Sequence, residues 1–130
     1  MRQAQCRCGQ LSATVAGDPV RVSVCHCLAC QRRTGSAFAA QARFAAANVT
    51  ITGDTRSYVR RADSGRQVIY RFCPECGSTM AYENPDMPGL IAIPLGNFAD
   101  PAFPAPTFSF YESRKHHWTA ILGEDVFHED

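Results

Sequence analysis

Seven cysteines stand in three short groups: Cys6-Arg7-Cys8-Gly9, Cys25-His26-Cys27-Leu28-Ala29-Cys30 and Cys73-Pro74-Glu75-Cys76-Gly77. Thiolates clustered at such spacings are metal ligands, and zinc is the ion that cysteine sets of this kind suit best. An odd count argues against a secreted disulfide framework, which uses cysteines in pairs. Cys-x-Cys is also too short for an ordinary internal disulfide. Cysteines that were merely buried or spare would have no reason to cluster.

The third group reads as a zinc knuckle. The turn brings Cys73 and Cys76 to one ion, Pro74 presets φ, and Gly77 takes positive φ without steric penalty. A redox pair of the same spacing belongs where a strand leads into a helix in an α/β setting, and this neighbourhood reads as β. Structural zinc takes four ligands. Cys6 and Cys8 supply the other two, since residues two apart in extended chain project to the same side. The four thiolates close the shell, exclude substrate and tie the N-terminal strand to the middle of the fold.

Cys25, Cys27 and Cys30 remain. Three protein ligands with a fourth position open to water or substrate is the plan of a catalytic zinc site. An all-thiolate set is soft and suits capture of another sulfur, which the ion would hold as a nucleophilic thiolate. Two other arrangements stay open at this level. A histidine, His26 or the distant His116, His117 or His128, can close the shell, although His26 sits between two ligands and should point away. The cysteines can also be divided differently between the two ions. Nearby Arg32 and Arg33 are candidates to grip a substrate carboxylate. Arg32 or Ser36 is a candidate donor to a developing oxyanion. Trp118, the sole tryptophan, is a candidate pocket wall, with core packing as the plain alternative.

These groups need a frame, and the frame reads as strands. Leu11, Ala13 and Val15 alternate with polar residues, as do Val20, Val22 and Val24, and Phe38, Ala40, Ala42 and Phe44. Tyr58 to Arg71 reads as a hairpin turning at Asp63-Ser64-Gly65. Ser78 to Glu83, Leu90 to Leu95 and Phe108 to Glu112 read as further strands. Short helical turns fit only Leu28 to Arg33 and Ala45 to Ala47. The expectation is a mainly antiparallel β fold with very little helix, residues 1–130 forming one domain.

Composition narrows the function classes. The net charge is +1, which gives no electrostatic case for nucleic acid or an anionic membrane. Twelve of the thirteen basic residues are arginine, a bias that suits carboxylate recognition and that a GC-rich genome also produces. No apolar stretch approaches the roughly 20 residues that span a bilayer, and Met1 to Cys6 lacks the apolar stretch of a signal peptide. Reduced thiols and these absences give a cytoplasmic location as the expectation. Nothing in the sequence sets the oligomeric state.

Taken together, Cys-x-Cys-Gly, then Cys-His-Cys-x-x-Cys-Gln-Arg-Arg-x-Gly-Ser-Ala-Phe, then Phe-Cys-x-x-Cys-Gly-Ser resemble the glutathione-dependent formaldehyde-activating enzyme family, also called CENP-V/GFA. Asp100-Pro101 and Ser113-Arg114 through Trp118 are similar to its C-terminal pattern. The resemblance implies an Mss4-like β fold with zinc knuckles. It implies two zinc ions per chain, a structural one on Cys6, Cys8, Cys73 and Cys76 and a catalytic one on Cys25, Cys27 and Cys30. It implies a carbon–sulfur lyase-type reaction that joins glutathione and formaldehyde, so the partners expected are a small thiol and a small aldehyde. Nine residues before the Trp, where members commonly carry His, this chain has Ser109, a departure that bears on substrate if that His belongs to the pocket. A zinc-stabilised binding module without catalysis is the alternative of the same fold. Methionine sulfoxide reduction, which that fold also supports, would need a redox cysteine late in the chain, and none follows Cys76.

Overall fold

The computed structural model describes residues 1–62 and 65–130. The chain runs β1 (Arg2–Gln5), β2 (Ser12–Val15), β3 (Arg21–Cys25), α1 (Leu28–Thr34), β4 (Ala39–Ala45), β5 (Val49–Thr52), β6 (Arg56–Arg61), β7 (Gln67–Phe72), β8 (Thr79–Glu83), β9 (Leu90–Pro94), β10 (Phe108–Phe110) and β11 (Phe127–His128). The fold is mainly β, with short 3-10 turns at Ala46–Asn48, Leu95–Phe98 and Glu112–Arg114. The strands form a three-stranded sheet, β1-β2-β5, and an eight-stranded sheet, β11-β10-β3-β4-β9-β8-β7-β6.

The two sheets share one apolar core. Ala13 and Val15 of the small sheet, with Leu11 just before β2, meet Phe44, Met80 and Ile93 from the large one. The alternating pattern of Leu11, Ala13 and Val15 therefore marks one buried face, as the sequence suggests. The middle of the large sheet departs from a half-buried reading. In β3, Val22, Ser23 and Val24 are all buried, so both faces are covered, while Val20 lies before the strand and is 63% exposed.

Pairing is antiparallel except at one edge, where β10 runs parallel to both β3 and β11. Strands β5 and β11 were not legible in the sequence. The β6–β7 hairpin is present, with Arg61 opposite Gln67, but Asp63 and Ser64 of its expected turn lie outside the described residues. The two expected helical turns occur at α1 and at Ala46–Asn48.

Register decides what the second face of the large sheet carries. Tyr58 pairs with Tyr70, Tyr70 with Tyr82, Tyr82 with Ala92, Ala92 with Arg43 and Arg43 with Arg21. Directly opposed residues share a face, so a row of tyrosines runs into a row of arginines across six strands. Ser23 and Cys25 of β3 stand on that face opposite Gln41 and Ala39 of β4.

Candidate metal centres and the adjoining cavity

Cys6, Cys8, Cys73 and Cys76 come together with their sulfurs within 4.8 Å of one another. The local geometry corrects one expectation. Cys6 to Gly9 is a turn after β1, not extended chain. It mirrors the Cys73 knuckle: the Cys6 amide donates to Leu11 O (2.9 Å) and the Cys73 amide to Ser78 O (2.9 Å), each five residues on. Gly77 has φ +78°, which closes the second turn. The two turns also touch, the Arg7 amide donating to Ser78 Oγ at 3.3 Å.

The spacing fits zinc. Sulfurs about 2.3 Å from a tetrahedral ion lie about 3.8 Å apart, and Cys6 to Cys8 is 3.6 Å and Cys8 to Cys73 is 3.7 Å. Those separations are far beyond a disulfide bond of about 2.05 Å. Donors already face the sulfurs: the Leu11 amide to Cys6 (3.3 Å), the Glu75 amide to Cys73 (3.4 Å) and Gln10 Nε2 to Cys73 (3.1 Å). The Ser78 hydroxyl holds Cys76 down at about 5. Gln10 is pinned in turn by Asp54, whose backbone it both donates to and accepts from.

Cys25, Cys27 and Cys30 form the second group, again within 4.8 Å. Cys25 ends β3, and Cys27 caps α1, its sulfur accepting from the Cys30 amide at 3.3 Å. Residues three apart on a helix share a face, which aligns Cys30 with Cys27 and Arg33 with Cys30. Hydrogen bonds from Cys25 and Cys30 hold Cys27 at about 2. The same contacts with Cys27 and Cys30, with burial, push Cys25 far above the ordinary thiol range. Three thiols packed this tightly share their protons among themselves. A dication relieves that repulsion and lets all three ionise, so the donor set fits zinc here as well.

Among the described residues no histidine joins this group. His26 points away, fully buried, with Nε2 hydrogen-bonded to Ser109 Oγ (2.9 Å) and Nδ1 unpartnered. His116 pairs with Gln31 and His128 with Glu112. Gln31 braces the loop, donating to His26 O (2.8 Å) and Arg114 O (3.1 Å).

The two groups differ in surroundings. Cys25, Cys27 and Cys30 line a cavity of about 1070 Å³, and none of the other four cysteines does. Arg32 and Arg33 line it too, whereas Ser36 and Trp118 do not. Ser36 is exposed just beyond α1, and Trp118 is 75% exposed with its ring edge-on to His116. The far wall and floor carry residues that sequence reading missed: Gln41, Arg43, Tyr70 and Tyr82. Arg33 sits over the rings of Tyr70 (5.4 Å) and Tyr82 (5.0 Å). Tyr82 donates to Gln41 Oε1 (2.8 Å), Gln41 to Ser23 Oγ (2.7 Å) and Arg43 to the same oxygen (3.0 Å). Burial pushes the Tyr82 phenol well above its ordinary range, so it stays a neutral donor. The available signal was the alternation of Gln41 and Arg43 with Ala40, Ala42 and Phe44, which a half-buried reading assigns to solvent.

Fold and site thus define a β protein with one cluster of four thiols and one of three thiols opening on a cavity. The sequence model of the family described as "Glutathione-dependent formaldehyde-activating enzyme" matches residues 1–114. The chain belongs to that family. Its fold is similar to the crystal structure of a Rhodobacter sphaeroides protein from structural genomics, with 17% identity and a TM-score of 0.58, covering 73% of this chain and 85% of that one. Among curated proteins, none matches the chain. Among the described residues no helix is long and apolar enough to cross a membrane.

Proposed function

We propose that the chain is a zinc-dependent carbon–sulfur lyase-type enzyme that condenses a thiol, glutathione first among candidates, with a small aldehyde such as formaldehyde. The observation that carries this reading is the asymmetry of the two clusters: three thiols open on a large cavity, while the four-thiol set lines none of it. A binding module with two closed sites has no use for that arrangement.

In this reading Cys6, Cys8, Cys73 and Cys76 hold structural zinc, and Cys25, Cys27 and Cys30 hold the catalytic ion. When bound there, zinc supplies an acceptor position for the incoming thiol and stabilises its thiolate form. The chain's own residues do the rest. The Cys30 amide and the cap geometry of α1 fix Cys27. Gln31 and the buried His26–Ser109 contact hold the loop that carries Cys25 and Cys27. Arg32 and Arg33 reach the cavity from α1 and meet the anionic groups of the substrate. The tyrosine wall covers one side and keeps part of the cavity from water. Ser36 and Trp118 would need to move to take part. One cytoplasmic domain with reduced thiols suits this chemistry.

The test is zinc-edge X-ray absorption of fully metallated protein with and without glutathione, alongside NMR detection of the hemithioacetal from labelled formaldehyde. A rise in sulfur coordination and catalysed adduct exchange are expected. An unchanged edge and an adduct rate equal to the uncatalysed one would refute the proposal.

A further inference from the structure

The cavity floor carries more positive charge than a neutral one-carbon aldehyde can use. Arg43 projects from the middle of β4, half-buried, with NH1 donating to Ser23 Oγ. Arg33 is clamped by two tyrosine rings, and its Nε is buried without a hydrogen-bond partner. Among the described residues no carboxylate pairs with either guanidinium. Arg32, Arg60 and Arg114 line the same cavity, and among the described residues the single lining carboxylate, Asp86, is engaged by Arg66 at 2.9 Å. Three thiolates around a dication keep one negative charge, against two guanidiniums on the adjoining wall. A cation removed from water without a paired anion is unfavourable. The planar fork of arginine matches a carboxylate.

We propose that Arg43 and Arg33 form a carboxylate subsite beside the three thiols, so that one of the two substrates docks there through a carboxylate. This rests on the cavity's being the substrate site and deepens that reading by naming what the site selects. The carboxylate belongs either to the thiol, as in glutathione, or to the aldehyde, as in a 2-oxo acid. Both guanidiniums are held before any ligand arrives, Arg43 by Ser23 and Arg33 by Tyr70 and Tyr82, so little ordering entropy opposes binding.

Calorimetry on zinc-loaded protein tests it with two probes. S-methylglutathione keeps both carboxylates but has its thiol blocked, so it reads the subsite whether or not thiol chemistry occurs at the metal. Glyoxylate reads an aldehyde that carries its own carboxylate. At least one probe should bind, and Arg43→Gln should weaken that probe by about tenfold or more, the scale of one charge-assisted hydrogen bond. Arg56→Gln, which removes a charge that does not line the cavity, should leave it unchanged. The probe that loses affinity names the substrate bearing the carboxylate. Absence of binding by both probes, or equal affinity of wild type and Arg43→Gln, overturns the proposal. If Arg43→Gln unfolds, Arg33→Gln on α1 takes its place with the same expectation, and unchanged affinity there overturns it too.

Discussion

Ser109 Oγ and His26 Nε2 are 2.9 Å apart, and both residues are fully buried. The contact joins the loop between two cysteines of the cavity cluster to β10, which lies parallel to β3 in the large sheet. The Ser109 hydroxyl also reaches Glu112, linking the loop onward to the His128 pair. Ser109→Ala would leave both ring nitrogens of His26 without partners, since Nδ1 has none already. A buried polar group stranded this way costs about 1–3 kcal/mol. The melting temperature should fall accordingly, and zinc should exchange faster from the three-cysteine site than from the four-cysteine site. An unchanged melting temperature would show that His26 does not depend on this bond.

Gly53 explains how the small sheet seats the four-thiol cluster. A Cβ on Gly53 would stand 2.2 Å from Gln10 O, and the residue has φ +117°. Gln10 donates to Cys73 Sγ, so displacement of its backbone moves a donor off the cluster. Gly53→Ala should destabilise by about 2 kcal/mol or more and alter the thiolate-to-metal absorption of cobalt-substituted protein. Gly96→Ala, with no atom within 4 Å of the added carbon, should do neither. Equal behaviour of the two variants would remove Gly53 from this role.

The cysteine groups were legible because the members of each short motif are local. Cys73 to Cys76 lie in one turn, and Cys25 to Cys30 span only the end of β3 and the start of α1, so the sulfurs of each set meet within a few residues. Cys6 and Cys8 meet Cys73 and Cys76 through a turn rather than through extended chain, because two residues of separation permit both geometries. Arg43 could not be found this way. Its neighbour across β9 is Tyr82, 39 positions on, and only the pairing of both with Ala92 puts them in one row. Ser36 is near the cysteines in sequence, yet Gly35 ends α1 in the left-handed conformation and turns the chain away. Trp118 lies beyond the Glu112–Arg114 3-10 turn that follows β10, and β10 is held by β3 and by β11, parallel pairings that no periodicity announces.

The two clusters should fail differently. Cys73→Ser opens a site that joins segments 65 residues apart, and much of the folding free energy, about 5–15 kcal/mol for a domain, passes through such a tie. Cys27→Ser removes a ligand and a helix cap of about 1 kcal/mol from a site whose ligands all lie within six residues. Elemental analysis should give two zinc ions per wild-type chain and one for Cys27→Ser, which should remain folded by circular dichroism. Mild chelation of wild type should strip the cavity ion first. Equal unfolding of both variants would mean that the two sites carry the same structural duty.

Glu112 gives the fold a pH dependence of its own, apart from that of the cysteine clusters. Burial pushes its carboxyl up, but the hydrogen bond with His128, contact with Ser109 and the charges of His128 and Lys115 outweigh that and leave it below the ordinary glutamate value. The pairing distances are 2.5 Å to His128 Nδ1 and 3.8 Å to Lys115 Nζ. A group whose folded pKa is depressed binds fewer protons folded than unfolded. Its contribution is therefore complete above the ordinary glutamate range and is lost as pH falls through the lowered value. Glu112→Gln should lower the melting temperature at pH 7, and the gap to wild type should close as the pH is taken below that range. Neither cysteine cluster contains Glu112, so acid loss of any bound metal falls on wild type and variant alike, and the comparison is made over the pH range in which both stay folded. A gap that stays constant with pH would assign the effect of Glu112 to packing rather than to charge.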